Sequence, residues 1–262
     1  MTTPLGVGDL VAWDGGVLLI GRANRITPVH AHQAIQVVFG YAGPVGLRAT
    51  DDEAWTPYPL GIVASRQPHT MDATASTYNA IVFVEPETAI GRALTERYLT
   101  QGIATVDEPD VRVACANLFA IWLGGTTKAH LVNEAARVVS ALAKDIAPAV
   151  VTDERILRAT EYIRTHLDGT VPLEDVAAHV FLSPGRFRHL FAEQTGIGLR
   201  PYVLWRRFIV AWDLLARGES ISTAAHRAGF ADAAHFTRTS NQMFGFPPSM
   251  LQVDAGPTTR PS

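Results

Sequence analysis

Between Leu173 and Met250 the chain writes one pattern twice: a short amphipathic helix, a tight turn, and a second helix begun by a capping residue. The first unit reads Leu173-Glu-Asp-Val-Ala-Ala-His-Val180, then Phe181-Leu182, then Ser183-Pro-Gly-Arg-Phe-Arg-His-Leu-Phe191. The second reads Ile221-Ser-Thr-Ala-Ala-His-Arg-Ala-Gly-Phe230, then Ala231-Asp-Ala-Ala-His-Phe-Thr-Arg238. A helix-turn-helix presents its second helix to the DNA major groove, so double-stranded DNA is the partner this pattern predicts. Leu173, Val176, Ala177, Val180, Leu182, Phe187, Leu190 and Phe191 make the core of the first unit. Ser183 before Pro184 joins a side-chain cap to a proline at the first helical position. In the second unit Gly229 permits the turn, Asp232 caps and Phe236 packs inward. That leaves Ser183, Gly185, Arg186, Arg188 and His189 on one groove-facing surface, and Ala233, Ala234, His235 and Arg238 on the other.

Net charge is −3, which by itself argues against a nucleic-acid partner. The charge is unevenly spread. Residues 153–262 hold 12 Arg against 11 Asp and Glu, whereas residues 1–152 hold 10 basic and 14 acidic residues. From Arg186 to Arg238 there are eight Arg and four acids, so positive charge gathers where phosphates would lie.

The first 85 residues read as short strands punctuated by Gly, Pro and Asp. The clearest are Val17–Ile20, Ala34–Phe39, Gly61–Ala64 and Asn79–Val84. Dense turns and short strands predict a small barrel or sandwich. After Pro86 the spacing turns helical over Glu87–Leu99, Val111–Leu123 and Ala129–Ala143. The last two form a hairpin broken by Gly124-Gly125, whose apolar excess suits either packing on the sheet or a dimer interface. The expected organisation is an α+β multidomain chain. A sensor barrel occupies 1–86, a helical packing or dimerisation segment 87–147, a linker 148–152, the helix-turn-helix domain 153–252 and a disordered tail 253–262. Thr152 or Asp153 is the expected cap after the linker. Cys115, the single cysteine, reads as a buried inert thiol. No apolar run reaches the roughly 20 residues of a membrane span, and no leader pattern is present, which predicts a cytoplasmic protein.

Residues Ile156 to Met250 resemble the DNA-binding domain of the AraC/XylS family of transcription regulators. The marks are Tyr162-Ile163, His166, Val176-Ala177, Ser183-Pro184, Phe187, Leu190-Phe191, Gly196, Leu214-Leu215, Ile221, Gly229-Phe230, His235-Phe236, Arg238, Phe244-Gly245 and Pro247-Pro248. The resemblance implies seven helices, with the helix Pro201–Ala216 holding two recognition helices apart across about 24 Å. By position, Gly185, Arg188 and His189 would meet bases in the first unit, with Arg186 nearer the backbone. Ala233, Ala234 and Arg238 would do so in the second. The chain departs from the family at Ser240, where a core aromatic is usual, at Asn241-Gln242, where basic residues are usual, and at Ala224, where a large aliphatic is usual.

The N-terminal part resembles a cupin-type effector domain in His30-Ala-His32, Gln36, Gly40, Gly61 and Pro68-His69. Two readings of the histidines stay open. His30, His32, Gln36 and His69 have the donor chemistry for a divalent transition metal. The preferred reading has the histidines hydrogen-bond the barrel lip without metal, since metal-binding cupins often have Glu at the place of Gln36. An effector pocket would use His30, His32, Gln36, Trp55 and His69. Phe39, Tyr41, Tyr58, Met71 and Tyr78 are either its aromatic lining or ordinary core. Arg22, Arg25, Arg48 and Arg66 are carboxylate-binding or solvated.

The family resemblance implies a homodimeric regulator, an activator more than a repressor, which binds a small-molecule effector and RNA polymerase and is not an enzyme. The rivals are a metal-dependent cupin enzyme with a vestigial DNA-binding half, and a regulator with no effector.

Overall fold

The computed structural model describes residues 6–13, 15–23, 25–100, 102–144 and 153–253. In chain order the strand-rich part contains β1 (Gly6–Trp13), β2 (Gly16–Ala23), β3 (Ile35–Tyr41), β4 (Val45–Arg48), β5 (Thr56–Tyr58), β6 (Leu60–Val63), β7 (Thr70–Asp72) and β8 (Tyr78–Val84). Then come α1 (Ala89–Tyr98), β9 (Ile103–Thr105), α2 (Pro109–Leu123) and α3 (Lys128–Leu142). The helical part holds α4 (Glu154–Thr165), α5 (Leu173–His179), α6 (Pro184–Thr195), α7 (Leu199–Ala216), α8 (Ile221–Arg227) and α9 (Ala233–Phe244). A 3₁₀ turn, Pro248–Met250, and β10 (Leu251–Val253) follow. Among the described residues the helical domain therefore has six α-helices and a 3₁₀ turn where the family resemblance implied seven helices. The expected linker at 148–152 lies outside the described residues, as does the tail from 254 on.

The strands make two sheets. Seven run in the order β10-β1-β2-β8-β3-β6-β9, and three in the order β5-β4-β7. The strands missed in the sequence are short or rich in Gly and Pro, where periodicity has too few residues to register. Val253, expected in a disordered tail, instead pairs with Gly8 in a parallel ladder between β10 and β1.

Side-chain alternation decides what covers the larger sheet. On one face Val11, Leu18, Ile20, Val37, Phe39, Val82 and Val84 pack against α2 and α3 through Leu118, Phe119, Trp122, Leu131, Val138 and Leu142. The hairpin's apolar surplus is thus largely consumed by the sheet, although Val113 stays 59% exposed. On the other face Val38, Val45, Leu47, Val63 and Met71 fill the space between the two sheets. Farther along that face, Leu10, Val17, Ala34 and Phe83 join Trp205, Phe208, Trp212, Phe236 and Phe244 in one cluster. The strand-rich and helical domains expected from sequence thus share one core. The first helix-turn-helix keeps its own core, built on Ile156, Ile163, Val176, Phe187, Phe191 and Tyr202.

Cys115 is buried, and burial pushes its thiol up to about 12, which keeps it protonated and unreactive.

Candidate DNA-reading surface and histidine pocket

Helix α6 starts where sequence chemistry put it. The Ser183 side chain accepts from the Arg186 amide at 3.4 Å, and Pro184 opens the first turn. Phe187 and Phe191 turn fully inward, which forces Gly185, Arg186, Arg188 and His189 outward, and all four are exposed. A Cβ on Gly185 would meet nothing within 4 Å, so this end of α6 is open surface. Helix α9 repeats the arrangement: Asp232 Oδ1 accepts from the His235 amide at 2.6 Å, and Phe236 is fully buried.

The side chains of α9 divide differently from the sequence expectation. Ala234 and Arg238 are exposed and Ala233 is half-buried. His235 is half-buried too, with its ring edge-on to Phe230 at 5.5 Å. It serves the core as much as the groove side, because the Phe230 ring at the turn offers it apolar cover. Among the described residues no carboxylate pairs with Arg186, Arg188 or Arg238. Neighbouring arginines are engaged: Arg207 donates to the carbonyls of Leu167 and Gly169, Arg217 pairs with Asp213 and Arg227 with Glu219.

The two units are locked together by α7 and by one glycine. Gly229 has φ +80°, and a Cβ there would sit 1.9 Å from the Leu167 carbonyl oxygen, so the turn of the second unit lies directly on the end of α4. Ser240, which replaces a family aromatic, is fully buried and donates to the Phe246 carbonyl at 2.8 Å. The serine trades ring packing for a hydrogen bond that ties α9 to the following loop. The turn of the first unit is strained: Phe181 has φ +58° and is 88% exposed.

In the sensor half the structure brings His30, His32, His69 and Gln36 together and leaves Trp55 elsewhere. Trp55 packs at the outer surface beneath Arg48, whose guanidinium carbon lies 4.4 Å from the ring centroid. The suggested aromatic lining is also dispersed. Phe39, on the larger sheet, faces the helices, and Met71, on the smaller sheet, faces the inter-sheet core. Of the suggested carboxylate-binding arginines, Arg48 pairs with Asp51 and Arg22 lies over Tyr78.

The histidines are buried, and one ligand nitrogen from each lies within 4.8 Å of the others. A bridge between His30 and His69 aligns their backbones. The Nδ1 atoms of His30, His32 and His69 face the carbonyls of Pro28, Ala34 and Gln67 at 2.9, 2.9 and 3.0 Å. A carbonyl only accepts, so each neutral ring carries its proton on Nδ1 and keeps a lone pair on Nε2. His32 Nε2 and His69 Nε2 lie 3.1 and 3.3 Å from Gln36 Oε1. Burial, and then the neighbouring imidazoles, hold His32 down to about 3 and His69 down to about 2, and burial lowers His30. The rings are therefore neutral near pH 7. With its amide oxygen towards both rings Gln36 leaves its own Nε2 buried without a partner; turned over, the amide donates one N–H to each ring Nε2, which satisfies His32 and His69 without an ion.

The seam between the domains carries groups that sequence reading missed. Glu85, at the end of β8, pairs with Arg206 of α7 at 2.5 Å and accepts from the Trp205 indole at 3.3 Å. Glu87 lies beside it, and burial followed by the Glu85 charge pushes its carboxyl up to about 8. A cleft of about 240 Å³ opens here between Glu87 and Arg92 on one side and Thr160, Gln194 and Tyr202 on the other. The signal available in sequence was the Glu-Pro-Glu ending a strand, which nothing local connects to Arg206.

Comparison with known proteins places this architecture. Residues 176–252 match a helix-turn-helix domain family. The regulatory protein PocR of Salmonella typhimurium is 33% identical over 110 residues, covering 42% of this chain and 36% of PocR. The arabinose operon regulatory protein of Escherichia coli is 35% identical over 103 residues, covering 38% of this chain and 35% of that protein. The chain thus spans about a third of the length of the curated relatives it matches. Beyond the helical half the likeness is one of fold. The crystal structure of ToxT from Vibrio cholerae covers 91% of this chain and 99% of its own, at a TM-score of 0.58 and 13% identity. A fatty-acid-bound form of ToxT covers 90% of this chain and 94% of its own, at a TM-score of 0.54 and 10% identity.

Proposed function

We propose that the chain, whose residues 176–252 match a helix-turn-helix domain family and whose helical half is similar to the arabinose operon regulatory protein, is a sequence-specific DNA-binding transcription regulator governed by a sensor domain. One observation carries the reading. Two capped recognition helices, fixed by α7, each present an exposed arginine, Arg188 and Arg238, that no described carboxylate neutralises.

In this reading Ser183, Gly185, Arg186, Arg188 and His189 face one major-groove segment, and Ala233, Ala234, His235 and Arg238 the next. Helix α7, 18 residues long, spans about 27 Å, which suits adjacent groove segments on one DNA face. Arg188 and Arg238 read guanine edges, whereas Arg186 holds phosphate. Ala234 offers only an apolar surface, suited to a thymine methyl. The first unit therefore supplies most of the discrimination. The functional unit is a homodimer that acts as an activator through RNA polymerase.

The shared core supports control by an effector, because a ligand that prefers one arrangement of the two domains shifts the population of that arrangement. ToxT, solved with a fatty acid, shares the two-domain fold, which favours a small molecule as the effector. Among the described residues the histidine cluster contains no carboxylate, the usual proton-transfer partner in a metal-dependent enzyme. No helix among them is long and apolar enough to cross a membrane.

The test is fluorescence anisotropy of the full chain on its own upstream DNA and on a scrambled fragment, across a salt series. Binding at least about a hundredfold tighter to the native fragment at near-physiological salt is expected. Equal and steeply salt-dependent binding to both fragments, with and without candidate effectors, overturns the reading.

A further inference from the structure

The cleft at the domain seam is walled by sensor and reader together, and its charges are unevenly matched. Arg206 of α7 pairs with Glu85 at 2.5 Å, and Arg164 with Glu161, both of α4, at 2.6 Å. Arg92 of α1 donates to the Glu87 carbonyl at 3.2 Å and to the carbonyl of Gln194, the last residue but one of α6. The sensor thus grips the end of the first recognition helix at this cleft. Glu87 is the exception among the charged groups. Its Oε1 is buried, no donor reaches it, and among the described residues no cation bonds to its carboxyl. Gln194 buries an unpartnered Oε1 too, but its amide can turn over to put an N–H in that place, so Glu87 sets what the cleft lacks.

We propose that this cleft binds a small organic cation, an alkylammonium or guanidinium, whose head rests on Glu87 and whose tail lies along Leu157 and Ile156. A water could meet one oxygen but would fill little of about 240 Å³. An anionic ligand would face the Glu85 and Glu87 carboxyls and compete for guanidiniums that already have partners. A cation supplies the missing donor and balances the second carboxyl. It also joins the β8–α1 corner of the sensor to α4 and α6 of the reader. This deepens the regulatory reading by naming a class of effector; only its effect at DNA rests on that reading, and binding is measured without DNA.

The test titrates the full chain with butylamine and agmatine, and with butanol and butyrate as neutral and anionic counterparts, by calorimetry in buffers of different ionisation enthalpy. The cations are expected to bind at least about tenfold more tightly than their counterparts. Burial and the Glu85 charge hold the empty Glu87 up to about 8, so a cation that ionises it releases up to about one proton, and affinity rises up to about tenfold per pH unit below that value. The other charged groups facing Glu87 are Glu85, Arg92, Glu161, Arg164 and Arg206, and no described histidine lines the cleft. Glu87→Gln is expected to lose at least about tenfold in affinity together with the proton release. Thr160→Lys, at a half-buried position on the opposite wall, tethers an ammonium in the cleft and should exclude the free cation; it decides if Glu87→Gln fails to fold. Hydrogen exchange in the last turn of α6 should slow when the cation binds. The proposal is overturned by equal binding of butanol or butyrate, by proton release that survives Glu87→Gln, or by cation binding that leaves α6 exchange unchanged. It is equally overturned if neither cation binds, the outcome expected of a cleft that Glu87 and Gln194 close by bonding each other. None of these outcomes depends on whether the chain discriminates DNA sequences.

Discussion

Glu85 and Arg206 close a buried ion pair across the domain seam, with carboxylate and guanidinium 2.5 Å apart and their side chains 4% and 10% exposed. Such a pair adds little over an apolar substitute, but breaking it leaves a charge in a place made for two. Arg206→Met is expected to cost about 3–5 kcal/mol in urea unfolding, since Glu85 loses its guanidinium beside a second buried carboxyl. The double variant Glu85→Gln/Arg206→Met should recover a large part of that loss. A cost below about 1 kcal/mol for Arg206→Met would mean that water reaches the seam.

Glu87 makes stability fall with pH. Its folded-state value is raised to about 8 by burial and then by the Glu85 charge, so the folded chain holds a proton that the unfolded chain releases in the ordinary carboxylate range. Stability is highest below that range, declines as pH climbs towards 8, and levels off above it. Thermal melts of Glu87→Gln are expected to show a shallower decline, smaller by up to about 1.4 kcal/mol per pH unit. Parallel curves for the two proteins would place the proton elsewhere.

Phe181 holds a backbone conformation that suits glycine and packs its ring on nothing, being 88% exposed at φ +58°. Relief of roughly 1–2 kcal/mol of left-handed strain outweighs glycine's entropy cost of about 0.5–1 kcal/mol. Phe181→Gly should therefore raise the melting temperature slightly with DNA affinity unchanged. A drop in affinity at unchanged stability would reassign the ring to the DNA interface.

Arg188 and Arg186 separate base reading from phosphate contact. Arg188→Ala is expected to cost about 1–3 kcal/mol on the native site and little on scrambled DNA. Arg186→Ala should weaken both about equally and lower the salt slope by about 1. Identical behaviour of the two variants in a salt series would make both of them phosphate contacts.

The reading half was legible because its signals are local. A serine before a proline starts α6, an aspartate starts α9, and Phe187 and Phe236 fall where the helical period points inward. Gly229 was readable as a turn glycine; that its turn presses on the Leu167 carbonyl was not, because that contact joins distant segments. The family resemblance grouped the histidines that meet, whereas their tautomers depend on backbone carbonyls that no motif encodes. Trp55 was misplaced for a related reason: composition marks an aromatic residue but not the surface arginine that covers it. The shared core was hidden by two-sided burial. In β2, Val17 and Leu18 are equally apolar, yet one meets α7 and the other the α2–α3 hairpin, and a continuous apolar run does not say what covers each face.

The parallel ladder between β10 and β1, with Leu251 opposite Gly6 and Val253 opposite Gly8, makes the last stretch of the reader a main-chain rib of the sensor's sheet. Any rearrangement driven by an effector must pivot about that ribbon or unzip it. Backbone amides in residues 251–253 are accordingly where regulation would register as faster deuterium uptake. A helical fragment cut free of the sensor would also strip β1 of its outer neighbour, leaving an open row of donors and acceptors on which other chains can template.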